Sequence, residues 1–72
     1  MTRKKVKSSN IASIGYDEKK QILEVEFHYK NSVYQYWPFK PSDWKSFSEA
    51  KSLGEYHGKY IKGNPKLNYK KV

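Results

Sequence analysis

Hydrophobic and polar residues alternate through the first half of the chain, and this alternation predicts three β-strands, over residues 11–16, 23–29 and 33–37. The middle run is the clearest, because apolar side chains occupy every second position, as in a strand that is buried on one side. Residues 17–20 are typical of a turn between the first two strands, and residues 30–32 interrupt the pattern before the third. Pro38 and Pro41 end the third strand, since proline has no amide hydrogen for a ladder.

The period of the apolar residues lengthens after residue 41. Apolar side chains at a spacing of three predict a short helix over about residues 42–51. Ser52 and Glu55 then have the spacing of a capping box. Helical spacing continues through Leu53, Tyr56, His57, Tyr60 and Ile61. A second short amphipathic helix follows from this pattern, and residues 63–65, Gly-Asn-Pro, end it.

The predicted order of elements is therefore β-β-β-α-α, an α+β fold. A three-stranded antiparallel meander followed by two short helices packed on one face buries all the apolar stripes. We expect residues 1–7 to form a flexible basic arm and residues 8–72 a single domain. A chain of 72 residues without cysteine must rely on its aromatic residues, or on a partner, for a core.

The length of the loop at residues 30–32 decides which face Tyr34 and Tyr36 occupy. An even number of loop residues places both rings on the apolar face of the preceding strand, whereas three loop residues turn Gln35 inward. We favour the first register, because burying an unpartnered amide costs about 1–3 kcal/mol. The face away from the helices then carries Glu24, Glu26, His28, Gln35 and Trp37. Its carboxylates repel phosphate and argue against base stacking on that face.

The net charge of +8 lies at the two ends of the chain. Residues 1–16 carry +4, residues 17–55 carry −1 and residues 56–72 carry +5. A basic segment attracts polyanions, although a solvated tail explains the same pattern. The candidate nucleic-acid-binding residues are Lys59, Lys62, Lys66, Lys70, Lys71, Tyr60, Tyr69, Arg3, Lys4 and Lys5.

No residue pattern specifies a reaction, a metal or a cofactor. Two S-x-x-K sequences lack the companion motifs of serine acylases, and His28 and His57 lack the spacing of a metal site. The chain contains no apolar run of about 18 residues that would span a membrane, and its basic N-terminus lacks the apolar stretch of a signal peptide. We therefore expect a non-enzymatic, cytoplasmic protein that needs no cofactor or metal and does not bind membranes.

Six segments in order resemble the KTSC domain family: residues 8–11 (SSNI), 14–17 (IGYD), 23–27 (LEVEF), 33–36 (VYQY), 50–56 (AKSLGEY) and 61–63 (IKG). The family is found at the C-terminus of some lysyl-tRNA synthetases and as small stand-alone bacterial and phage proteins. Its central Y-x-Y matches Tyr34 and Tyr36, and its A-x-S-x-G matches Ala50, Ser52 and Gly54, which we interpret as structural residues. The resemblance implies RNA binding through the synthetase context.

Two functional hypotheses follow. The first is a small RNA-binding module, or one that binds another nucleic acid, through the basic C-terminal segment. Neutralisation of about five phosphates of a single strand would give a slope near −3.5 for log affinity against log salt. The second is a protein-interaction module that uses an exposed aromatic patch, which would also permit self-association. That patch consists of Trp37, Phe39 and Trp44.

Overall fold

The computed structural model describes residues 2–72, which form a five-stranded antiparallel sheet in the order β1-β2-β3-β4-β5. The strands are β1 Lys4–Lys5, β2 Ile11–Asp17, β3 Ile22–Phe27, β4 Val33–Trp37 and β5 Asn68–Lys71. Helix α1 spans Pro41–Ser48, and helix α2 spans Leu53–Tyr56 and continues as a π-helical segment over His57–Ile61. The predicted α+β class, the central meander and the two helices after β4 are confirmed.

The two edge strands correct the predicted three-stranded meander. Lys4 and Lys5 pair with β2, in the segment that we expected to be an arm, and β5 pairs with β4 along its whole length. Every residue of both strands is exposed, and both strands are rich in lysine, which protects sheet edges from pairing with other chains. Neither shows apolar alternation, so the pattern that revealed the central strands could not reveal these.

The register of β3 and β4 confirms the face predicted for the tyrosines. Val25 lies opposite Tyr34 and Leu23 lies opposite Tyr36, so both rings are on the side of the sheet that bears the helices. Tyr36 is 6% exposed and belongs to the core.

The connection between β3 and β4 is longer than the two-residue loop that the register argument assumed. It holds residues 28–31, closed by a hydrogen bond from Phe27 N to Ser32 O of 2.8 Å. Lys30 and Asn31 have positive φ values of 55° and 50°. The parity is unchanged because four is also even, but β3 ends at Phe27 and leaves Tyr29 outside the strand, 66% exposed.

A β-bulge changes which residues of β2 face the helices. Ile11 lies opposite Phe27 and Ser13 lies opposite Glu26, so Ala12 is the extra residue. The bulge brings Ile11 and Ile14 to the same face despite their odd spacing, and both are buried.

One core lies between the sheet and the helices. Its buried hydrophobic residues are Ile11, Ile14, Leu23, Val25, Tyr36, Phe39, Phe47, Leu53 and Ile61. The burial of Phe39 is explained by backbone contacts, because its amide donates to Gln21 O at 2.8 Å and its carbonyl accepts from the Tyr16 hydroxyl. The loop after β4 is thus tied to the turn between β2 and β3.

Within residues 2–72, the opposite face of the sheet carries no helix, and Arg3 covers part of it. Its guanidinium donates to Ser13 Oγ at 2.9 Å and to the carboxylate of Glu24. Gly15 makes room for this arrangement, since a Cβ atom there would lie 2.9 Å from the carbonyl oxygen of Thr2 and 3.1 Å from Arg3 Cγ. Within residues 2–72, no helix has the length and apolar character needed to cross a membrane.

Candidate functional site

A cleft of about 720 Å³ opens on the helix-bearing side of the sheet, beyond the end of the helical layer. Strands β3, β4 and β5 form one wall, the π-helical segment forms the second, and the chain from Lys62 to Leu67 forms the third. The aromatic residues of its lining are Phe27, Tyr34, Tyr36 and Tyr69. We call this space the tyrosine cleft.

The aromatic side chains form a continuous wall because they share one face of adjacent strands. Tyr69 lies opposite Tyr36 in the β4–β5 register. The Tyr69 ring centroid is 6.3 Å from that of Tyr36 and 6.5 Å from that of Tyr34. Phe27 meets Tyr34 edge to face at 5.9 Å. Tyr69 is 68% exposed and Tyr34 is partly buried, so ring surface remains open to a ligand.

A buried polar pair lies at the base of the cleft. The Tyr36 hydroxyl and His57 Nε2 are hydrogen-bonded at 2.9 Å, and His57 is 8% exposed. Burial, with smaller effects from the neighbouring Tyr34 and Tyr69, raises the pKa of Tyr36 to about 12. Burial, with the nearby charge of Lys62, lowers the pKa of His57. Both groups are therefore neutral at pH 7, and they satisfy each other's hydrogen bond at the base of the cleft without carrying charge.

Three of the predicted lysines belong to the segments that form the tyrosine cleft, and one of them lines it. Lys62 is part of its lining, Lys66 lies in the loop that forms its third wall, and Lys71 shares the face of Tyr34, its partner in the register. Lys70 is paired with Gln35 and therefore points to the opposite face. Among the described residues, none that lines the cleft is acidic.

The other predicted binding residues are not brought to this cleft. Lys59 is 3.7 Å from Glu55 across one helical turn, and the ring of Tyr60 packs on Tyr56 at 4.7 Å. Arg3, Lys4 and Lys5 lie at the β1 edge of the sheet. Four strand spacings separate β1 from β5, roughly 19 Å. The two basic ends of the chain therefore do not form one surface.

The predicted patch of Trp37, Phe39 and Trp44 is wrong. Phe39 is 3% exposed in the core, and Trp44 stacks on Tyr16 at 5.3 Å with nearly parallel rings. Trp37 is on the opposite face of the sheet. These three rings cannot present one apolar surface to a partner.

The residues of the A-x-S-x-G motif have structural contacts. Ser52 Oγ accepts from the backbone amide of Glu55 at 3.2 Å and caps helix α2. A Cβ atom at Gly54 would lie 3.1 Å from Asn10 Nδ2, so glycine allows the helix to approach the start of β2. Gly58 is different, because a Cβ atom there would meet no atom within 4 Å.

Sequence reasoning missed Phe27, His57, residues 63–65 and Leu67 as parts of one site. Phe27 and His57 had the spacing of core residues, which their burial supports, and nothing local marks them as neighbours of Tyr69. Tyr69 and Lys71 share one face of β5, but the strand has no apolar alternation. No pattern in the sequence could therefore have revealed β5 and, with it, the cleft.

Comparisons with known proteins place the chain in a family. The model of the KTSC domain matches residues 7–64. An uncharacterized protein of Stutzerimonas stutzeri is 39% identical over 62 residues, which are 86% of each chain. A lysine–tRNA ligase of Nostoc punctiforme is 37% identical over 63 residues, 88% of this chain but 11% of the ligase.

A solved structure extends the similarity to the whole fold. The crystal structure of a KTSC domain protein from Yersinia pestis superposes with a TM-score of 0.90 at 35% identity, over 99% of this chain and 96% of the other. The chain belongs to the KTSC domain family.

Proposed function

We propose that this protein is a non-catalytic module that binds single-stranded RNA in the tyrosine cleft. The observation that carries the proposal is the aromatic wall of the cleft, in which Tyr69 is exposed and Tyr34 is partly exposed, with Lys62 in the same lining. Aromatic faces of this kind stack with unpaired bases irrespective of sequence.

Charge supports the same ligand. Lys62 lines the cleft, Lys71 shares the face of Tyr34, and Lys66 lies in the loop of the third wall. The lining in residues 2–72 includes no carboxylate to repel phosphate. The opposite face of the sheet carries Glu24 and Glu26 in addition to Arg3. A phosphate backbone is therefore better accommodated at the cleft than on the open face.

The family context favours RNA over DNA. A region of a lysine–tRNA ligase, an enzyme whose name specifies a tRNA substrate, is 37% identical to this chain. A domain of the same fold joined to that enzyme would be placed close to RNA. The ligase context favours RNA as the polymer, and a cleft lined by aromatic rings favours a single strand with unpaired bases.

Salt dependence gives a quantitative test. With three lysines at the cleft, log affinity should fall with log salt at a slope near −2, so raising salt from 50 to 200 mM costs about 20-fold in affinity. Fluorescence anisotropy of a labelled 12-nucleotide single-stranded RNA measures this directly. Absence of binding at 50 mM salt, or affinity that does not respond to salt, refutes the proposal.

Two matched variants distinguish the effect on RNA affinity of lysines near the cleft from the effect of net charge. The triple change of Lys62, Lys66 and Lys71 to Ser should remove most of the affinity and flatten the slope. The same triple change at Lys19, Lys20 and Lys45, exposed lysines outside the cleft, alters net charge equally and should have a small effect. Equal losses in both variants would show that binding is not located at the cleft.

A second matched pair tests stacking. Tyr69→Ala should weaken RNA binding by about 5- to 150-fold, because stacking of one base contributes about 1–3 kcal/mol. Tyr60→Ala is the control, since Tyr60 is 58% exposed, close to the 68% of Tyr69, but lies outside the cleft. A larger effect at Tyr60 would contradict the assignment.

A further inference from the structure

A second, smaller cleft adjoins the tyrosine cleft. Its volume is about 460 Å³, and its lining includes Ser9, Asn10 and Tyr29 on one side and Gly58 on the other. Phe27, His57 and Lys62 line both clefts. The two spaces are therefore neighbours with a shared boundary.

The boundary is an aromatic contact with a lysine beside it. Phe27 and His57 meet edge to face with ring centroids 5.1 Å apart. The π-helical segment positions Lys62: its backbone amide donates a hydrogen bond to the carbonyl oxygen of His57, five residues earlier, at 2.8 Å. Lys62 thus follows His57 by one wide turn and lies at the junction of the two clefts.

Gly58 keeps the second cleft open. A Cβ atom at this position would have no neighbour within 4 Å, so no packing contact requires glycine there. Its φ angle is not positive, so backbone conformation does not require it either. Glycine inside a helix costs about 1 kcal/mol relative to alanine. Neither the packing around Gly58 nor its backbone conformation offsets this cost.

The two clefts differ in chemistry. The tyrosine cleft offers ring faces, whereas the second cleft combines the polar side chains of Ser9, Asn10 and His28 with the exposed ring of Tyr29. Neither lining contains a carboxylate within residues 2–72. Lys62 is a cation at the junction of the two clefts. A ligand with two planar groups joined by an anionic group fits this arrangement, with one planar group in each cleft and the anion at Lys62.

We infer that the two clefts bind two consecutive nucleotides of one RNA strand, with the phosphate that joins them at Lys62. The base in the tyrosine cleft stacks on the aromatic wall, and the next nucleotide occupies the space beside Gly58. This assignment rests on the proposed RNA binding and adds a minimal ligand of two nucleotides with a fixed position for one phosphate.

The test compares AMP with the dinucleotide ApA by titration of ¹⁵N-labelled protein. ApA should bind at least tenfold more tightly than AMP and should shift the amide signals of both Tyr69 and Gly58, whereas AMP shifts mainly those of the tyrosine cleft. Equal affinities, or ApA shifts confined to one cleft, overturn the inference.

A variant that fills the second cleft sharpens the test. Gly58→Leu should reduce ApA affinity to that of AMP and leave AMP affinity within twofold, and the spectrum of the free variant shows whether it is folded. Ser46→Leu, an added leucine on the exposed surface of α1, is the control and should change neither affinity. Unchanged ApA binding in a folded Gly58→Leu protein refutes the two-nucleotide site.

Failure of the inference is distinguishable from failure of the proposed function. If the 12-nucleotide RNA binds with the expected salt dependence while AMP and ApA bind equally, RNA binding stands and the second cleft is not a nucleotide site. If none of the three ligands binds at 50 mM salt, both proposals are rejected.

Discussion

Replacing Tyr36 by Phe tests the buried polar pair beneath the tyrosine cleft. The change removes the hydroxyl that is hydrogen-bonded to His57 Nε2 at 2.9 Å and keeps the ring in place. His57 is 8% exposed, so water cannot readily replace the lost partner. Leaving a buried polar atom unpaired costs about 1–3 kcal/mol, and we expect the free energy of unfolding at pH 7 to fall by this amount.

The same hydroxyl makes stability depend on alkaline pH. Burial raises the pKa of Tyr36 to about 12 in the folded protein, against about 10 for an unfolded tyrosine. Folding favours the neutral form of Tyr36. Its contribution to the free energy of unfolding is therefore fully present below pH 10 and is lost as pH rises towards 12. At pH 11 the loss amounts to about 1.4 kcal/mol.

Urea denaturation at pH 9 and pH 11, monitored by circular dichroism, gives the measurement. The stability difference between the native protein and Tyr36→Phe should shrink by about 1.4 kcal/mol between the two pH values. Tyr29→Phe is the control, because Tyr29 is 66% exposed and its replacement should leave stability nearly unchanged at both. A difference that stays constant with pH, or a Tyr36→Phe protein as stable as the native one at pH 7, refutes the buried pair.

Three further predictions concern the sheet and its core. Gly15→Ala should displace β1, because the new methyl group would lie 2.9 Å from the Thr2 carbonyl oxygen; faster hydrogen exchange at Val6, whose amide bonds to Ala12 O, is the expected sign, and retained protection would contradict it. Arg3→Met should move acid unfolding to higher pH. Burial raises the pKa of the Glu24 carboxyl, but hydrogen bonds from Gln35 and Arg3 outweigh this effect, so the pKa in the folded protein is lowered. The resulting stabilisation is present above the pKa of an unfolded glutamate and is lost as pH falls through the lower pKa of the folded protein. Circular dichroism between pH 2 and 6 measures the midpoint, and an unchanged midpoint would argue against this role of Arg3. Phe39→Ala should lower the free energy of unfolding by about 3–5 kcal/mol, as expected for a core ring, and an effect below about 1 kcal/mol in urea denaturation would mean that Phe39 is not a core residue.

The central strands were predictable because their faces differ in polarity. Period-two alternation identified β2, β3 and β4, and the parity of the loop placed Tyr34 and Tyr36 on the correct face even though the loop has four residues rather than two. Parity depends on whether the count is even, so an error of two residues did not matter. The ends of the strands and the bulge at Ala12 depend on local hydrogen bonds that alternation does not report.

The candidate site was predicted only in part, for physical reasons that particular residues show. Tyr69 and the C-terminal lysines were singled out from charge, but their place beside Tyr36 depends on β5, an edge strand without apolar alternation. Phe39 was assigned to an exposed aromatic patch with Trp37 and Trp44. Its burial depends on hydrogen bonds to the distant residues Gln21 and Tyr16, which no local pattern contains.

The most direct test of RNA binding in the tyrosine cleft is a chemical-shift map of ¹⁵N-labelled protein with the 12-nucleotide single-stranded RNA at 50 mM salt. We expect the largest shifts at Tyr34, Lys62 and Tyr69, and small ones at Lys4 and Trp37, which lie at the far edge and on the opposite face of the sheet. Shifts concentrated at Lys4 and Trp37, or no shifts at all, would contradict the proposed site.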